Sequence, residues 1–395
     1  MWTRVRGGWP GAAALVWGLC LLSVAGHALC YPRAHTVYDI YADAARNWWA
    51  GEDIYARGRE YYRYSPLLAI TLTPFAMLPD NVGNALWKLF NALIYMAGLY
   101  AWARAIVPQR LDGAQAAGLW LLALPLSLHS LYIGQANLLM AGTVLLGLRG
   151  VVREEWNRAA AWLAFATLVK GYPLGLAMIL TALFPRRFSW RYLSALAFML
   201  LMPFATQPTA LVSAQYASWA HHLRASTSIM RERLRSIDYL FQIAGRPLEP
   251  TTYAVLGAGA ACVVLGLCLA LAQQGAGRQE LLTRTYQWFT LWVVLFGPAT
   301  EASTYAVLAP SIAWELLEAI HWRSRARCLL LCASLLLMAL LGSDLFPPVV
   351  RNYCNEHGGQ PIGALLFLCC LRNPVPGVGR WHRTTFLKSL SSPGK

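Results

Sequence analysis

Apolar runs separated by short charged stretches fill most of this chain, a pattern that predicts helices crossing a bilayer rather than a soluble core. The runs span 10–30, 84–107, 113–132, 137–150, 159–169, 173–184, 190–206, 251–272, 286–299, 303–320, 328–345 and 361–371. They predict an all-α, polytopic helical bundle of about 12 spans. Several runs fall short of the ~20 residues a straight crossing needs, so broken helices are expected. The run from Ser65 to Leu78, flanked by Pro66 and Pro79, is shorter still and predicts an interfacial or re-entrant helix. Arg4 and Arg6 before the apolar stretch Ala12 to Ala25 resemble a signal sequence. The many spans that follow favour an uncleaved first helix.

Between the runs, charge alternates. Arginines crowd one set of connections: Arg104 and Arg110; Arg149, Arg153 and Arg158; Arg186, Arg187 and Arg191; Arg323, Arg325 and Arg327. Acidic residues favour the other set. By the positive-inside rule this puts both termini in the cytoplasm, with the chain in the plasma (inner) membrane. The membrane domain then covers 1–372, with outer loops at 31–83 and 207–250, and 373–395 form a basic cytoplasmic tail.

Composition agrees. Of 395 residues 57% are hydrophobic and 13% charged, against about 25% charged in soluble domains. The net charge of +15 therefore reads as membrane topology and contact with membrane lipids, and not as a nucleic-acid surface. The nine cysteines show no metal or redox spacing; Cys30 and Cys354, both on the outer side, are candidates for a disulfide. His221 and His222 lie among Arg224, Arg231, Arg233 and Arg235 without the HExxH spacing of zinc enzymes, so no metal and no cofactor is called for.

Several polar clusters fall on the predicted outer side. In 38–51 a helix would align Asp39, Asp43 and Arg46 on one stripe and Tyr41, Ala45 and Trp48 on another, with Gly51 as terminator. The stripe is either a water-facing surface or the source of a general base, Asp39 or Asp43. Next come Arg63 and Tyr64, then the Gly134-Gln135-Ala136-Asn137 turn, a plain cap or a hydrogen-bonding corner for a sugar or lipid head. Lys170, between apolar stretches, either snorkels or meets an anion. Last, Glu301 and Tyr305 sit in a turn after Pro298. A carboxylate, cations and amides gathered at one lipid–water boundary suit transfer to or from a lipid-borne phosphate. The competing readings are a transporter or flippase for a lipid-linked or small polar substrate, and a non-catalytic membrane subunit. The first would place ionisable groups mid-span, often with repeats; here Lys88 alone is a mid-span cation.

Tyr41 through Tyr55, Tyr62-Arg-Tyr-Ser-Pro66, Leu78-Pro79, Leu86-Trp87 through Asn91, Gly134 to Asn137 and Lys170 to Pro173 follow one another as in glycosyltransferase family 87, which residues 35–310 resemble. The resemblance implies a GT-C-type bundle that takes a hexose, typically mannose, from a polyprenyl-phosphate sugar donor. The sugar would pass to a lipid or glycan acceptor with inversion, an acid of the first outer loop serving as base. It leaves Asp39 and Asp43 as the matching acids, Asp39 favoured. Lys170 and Arg63 would hold the departing phosphate; Gln135, Asn137, Glu301, Tyr305 and Tyr64 would line the sugar site. One departure stands out: where the family carries a histidine pair after the proline, this chain has Thr304-Tyr305 and adds Glu301.

Overall fold

A computed structural model describes residues 9–55, 62–229, 234–340 and 347–371, the side chains of 224–229 excepted. The N-terminal arginines Arg4 and Arg6, the loop arginines Arg231 and Arg233, and the tail 373–395 lie outside the described residues.

Among the described residues the fold is helical, without strands. The membrane bundle is built from α1 (Trp9–Cys30), α4 (Asp80–Ala101), α5 (Gly113–Ile133), α6 (Asn137–Val152), α7 (Trp156–Val169), α8 (Pro173–Leu183) and α9 (Trp190–Leu201). It continues with α12 (Pro250–Gln273), α13 (Arg278–Phe296), α14 (Ala309–His321), α15 (Arg325–Leu335) and α17 (Gly359–Cys370). Each of the twelve apolar runs thus holds a helix. Among the described residues five helical stretches are long and apolar enough to cross a membrane: Trp9–Cys30, Asp80–Ile106, Gly113–Ile133, Pro185–Ala205 and Pro250–Gln273. Of the about twelve expected spans, these five meet the length and composition of a full crossing among the described residues. α7 and α8 stop at the Lys170–Tyr172 turn, and charges at its start dilute α13.

Close approach of small residues holds the centre. A Cβ on Gly98 of α4 would stand 2.8 Å from Gly142 Cα of α6, and one on Gly142 would stand 2.5 Å from the Ile94 carbonyl oxygen. On its other face α6 meets α7 at Gly150, where a Cβ would stand 2.9 Å from Ala159 N. In a bilayer, where lipid offers no hydrophobic drive between helices, such backbone contact is a main source of cohesion. α1 packs on α4 and α5, and its buried Trp17 donates to the Trp120 carbonyl at 3.1 Å. The first helix is part of the bundle. All nine cysteines are free thiols, Cys30 and Cys354 included, so the candidate disulfide is not formed.

The outer loops fold as helices. α2 (Tyr38–Ala50) buries Tyr41, Ala45 and Trp48, and Gly51 ends it in the left-handed region at φ 73°, as the periodicity predicts. α3 (Pro66–Ala76) starts on its proline. α10 (Thr209–Ile229) and α11 (Ile237–Ile243) occupy 207–250, and α16 (Pro348–Glu356) precedes α17. α10 clamps the first loop: Gln215 accepts from Ile54 N and donates to the Glu52 carbonyl, while Trp219 Nε1 donates to the Arg63 carbonyl at 3.0 Å.

Candidate active-site cavity

A cavity of about 560 Å³ opens where α7 turns into α8. Its polar end is lined by Arg63, Tyr64, Gln135, Lys170, Tyr172 and Glu301. Its long wall is apolar, from Leu174, Met178 and Ile179 of α8, Val264 and Leu265 of α12, and Trp292 of α13.

Local structure explains how each polar group arrives. α5 ends on Gly134, whose φ of 73° needs glycine, and the reversal swings Gln135 inward. Trp87 Nε1 pins the turn by donating to the Gly134 carbonyl at 2.8 Å. Gln135 Nε2 donates to Glu301 Oε2 at 2.5 Å. Its Oε1 accepts from Asn137 Nδ2 and Ser303 Oγ, and Asn137 also donates to Ser303 at 3.0 Å. Glu301 caps the turn after it, accepting from the Thr304 backbone N–H while Thr304 Oγ1 accepts from Glu301 N. The α5–α6 corner and the 298–305 turn, far apart in sequence, are one hydrogen-bonded unit.

Lys170 ends α7 in extended conformation, half-buried, with Nζ 5.8 Å from the centre of the Tyr172 ring. Burial pushes its ammonium down to about 8, Glu301 partly holding it up and Arg63 adding to the fall. Lys170 and Glu301 feel each other's charge without forming an ion pair. Arg63 Nε is buried with no hydrogen-bond partner among the described residues. Above it a relay runs from Ala136 N–H to Tyr41 Oη at 3.2 Å and from Tyr41 to Tyr64 Oη at 2.7 Å. The relay leaves Tyr64's own proton for a ligand. Two cations, one carboxylate, an amide and two phenols therefore surround the polar end.

The other expected residues lie elsewhere. Asn137 and Tyr305 are buried behind the lining; Tyr305 Oη donates to the Arg235 carbonyl at 2.7 Å. Asp39 and Asp43 are not in the lining. Both stand two residues from Tyr41, so they point to the opposite side of α2. Asp43, 69% exposed, lies 3.7 Å from Arg46, and Arg46 is held by Asp80 at 2.5 Å. Burial and the neighbouring Asp80 raise the Asp39 carboxyl above its ordinary range. The first-loop acids thus join a charged cluster with Arg33, Arg46 and Asp80, outside the cavity. Tyr172 and the apolar wall are the lining groups the sequence reading did not single out.

The sequence model described as glycosyltransferase family 87 matches residues 62–298. No solved structure matches the chain.

Proposed function

The chain belongs to glycosyltransferase family 87, and on that premise we propose that it transfers a hexose, most simply mannose, from a polyprenyl-phosphate sugar to a lipid or glycan acceptor. The reaction would take place at the extracytoplasmic face of the plasma membrane, both termini lying in the cytoplasm.

The carrying observation is the cavity's division into a cationic end and an apolar wall. A polyprenyl phosphate has the same division. Its isoprenoid chain suits the wall of Leu174, Met178, Leu265 and Trp292, and its phosphate suits Lys170 and the unpartnered Nε of Arg63. As the bond from sugar to phosphate breaks, negative charge grows on the leaving oxygen, and cations already in place stabilise it where it develops. Gln135 and Tyr64 reach sugar hydroxyls, while Asn137, Ser303 and Tyr305 hold the walls. Lys170, Arg63 and Glu301 together give the polar end one net positive charge, which matches a phosphodiester. Transfer inverts the anomeric centre because the acceptor attacks opposite the phosphate.

Native mass spectrometry of the purified protein tests the donor assignment. We expect a bound polyprenyl phosphate that Lys170→Met together with Arg63→Met removes. A wild-type protein that neither retains nor takes up polyprenyl phosphate would overturn the proposal.

A further inference from the structure

We propose that Glu301 sets the charge preference of the site, so that the singly charged donor is held and the more highly charged polyprenyl phosphate product is let go. This rests on the transferase reading above and concerns the end of the cycle, product release.

The chemistry sets the problem. In transfer the acceptor oxygen bonds to the anomeric carbon, the bond from that carbon to the phosphate oxygen breaks, and its electron pair stays on the phosphate. The acceptor's hydroxyl proton goes to water. A phosphodiester with one negative charge has become a phosphomonoester with about 1.5–2 at pH 7. Cations that stabilise the departing oxygen therefore hold the product more tightly than the donor, and a product that stays bound blocks the next turnover.

Glu301 stands among those cations. It lines the polar end with Lys170 and Arg63, and its charge reaches Lys170, whose proton affinity it partly holds up. Coulomb energy scales with the product of the charges, so one fixed carboxylate opposes a dianion about twice as strongly as a monoanion. The single net positive charge that remains neutralises the donor and falls one short of the product. In a site walled by Leu174, Met178 and Trp292, an uncompensated charge costs free energy that it would not cost in water.

The hydrogen bonds around Glu301 keep its charge in place. Gln135 Oε1 accepts from Asn137 and Ser303, which commits Gln135 Nε2 to donate to Glu301. The Thr304 N–H donates to the same carboxylate from the turn. Glu301 is thus bonded to these donors and not to Lys170, and Arg63 Nε has no partner among the described residues. Both cations stay open to the phosphate while the carboxylate stands beside them.

The test uses the full chain in proteoliposomes and two probes with the same tail: polyprenyl phosphate and its methyl ester, a phosphodiester that keeps a single charge. Glu301→Gln preserves the side chain's shape and an acceptor oxygen for Gln135 and removes the charge. We expect it to tighten polyprenyl phosphate by about tenfold and the methyl ester by only about threefold, the same effect acting on one charge instead of two. Glu301→Asp should keep the wild-type ratio of the two affinities. With polyprenyl-phosphate mannose as donor, the inhibition constant of added polyprenyl phosphate should fall relative to donor KM in Glu301→Gln. Equal changes for both probes, or weaker binding of both, would assign Glu301 to holding the wall and overturn the proposal, leaving the transferase reading in place. A wild-type protein that binds neither probe would overturn the transferase reading, and this proposal with it.

Discussion

Lys170 sits where a bilayer protein tolerates a cation only if it has work to do. Its ammonium must shed part of its water to line the cavity, which costs free energy unless an anion replaces that water. With its proton affinity lowered to about 8, the side chain is charged below that pH and increasingly neutral above it. Donor KM should therefore rise as pH passes from 7 to 9, and Lys170→Arg, charged throughout, should flatten the rise. A pH series of initial rates at subsaturating donor checks this. Lys170→Met should weaken donor binding by about 10- to 100-fold, since a charge-assisted hydrogen bond contributes about 1.5–3 kcal/mol. Titration with polyprenyl phosphate reads that directly. Gln135 acts differently: it touches Glu301, Asn137 and Ser303 at once, so its loss would loosen the whole polar corner.

At the scale of elements, small residues and one buried charge cluster hold the helices in register. Gly142→Leu would push a side chain into the α4 backbone at Ile94; overpacking of this kind costs about 1–3 kcal/mol and should lower the unfolding temperature in detergent. Deeper still, Glu315 of α14 joins Arg284 at 3.0 Å, Gln287 at 2.7 Å, and Arg327, linking α13, α14 and α15. Glu315→Ala would take the shared buried carboxylate away from the half-buried Arg284 and Arg327 guanidinium groups and should destabilise by up to about 3–5 kcal/mol. Thermal unfolding of the purified variant measures the loss. Which elements the sequence could predict follows from the same physics. The Tyr41–Ala45–Trp48 face and the Gly51 stop were legible because a 3.6-residue period and a left-handed turn leave local marks. α10 was not, since a polar helix that packs on other loops shows no apolar stripe. The aim of Asp39 was hidden for a related reason. Periodicity groups residues into faces, but only packing decides which face meets the cavity.

Across the whole molecule the chain spends its apolar surface on two solvents, lipid outside and a lipid-shaped cavity within. No hydropathy pattern separates the two, so the wall of Leu174, Leu265 and Trp292 had no signature in sequence. The polar end did, because a lysine or a glutamate set between apolar runs of such a chain needs a reason. If α8, α12 and α13 frame the path of an isoprenoid chain, Val264→Trp should narrow it. Donors with long polyprenyl tails should then lose at least about tenfold in kcat/KM, while short-tailed analogues are spared. The most direct test of the central claim is transfer itself: purified wild-type protein in proteoliposomes, given radiolabelled polyprenyl-phosphate mannose and membrane lipid acceptors. We predict label moving into an acceptor, with free polyprenyl phosphate released and the transfer abolished in Lys170→Met together with Arg63→Met. Label that stays on the donor with the wild-type protein, or transfer that persists undiminished in the double variant, would contradict the account.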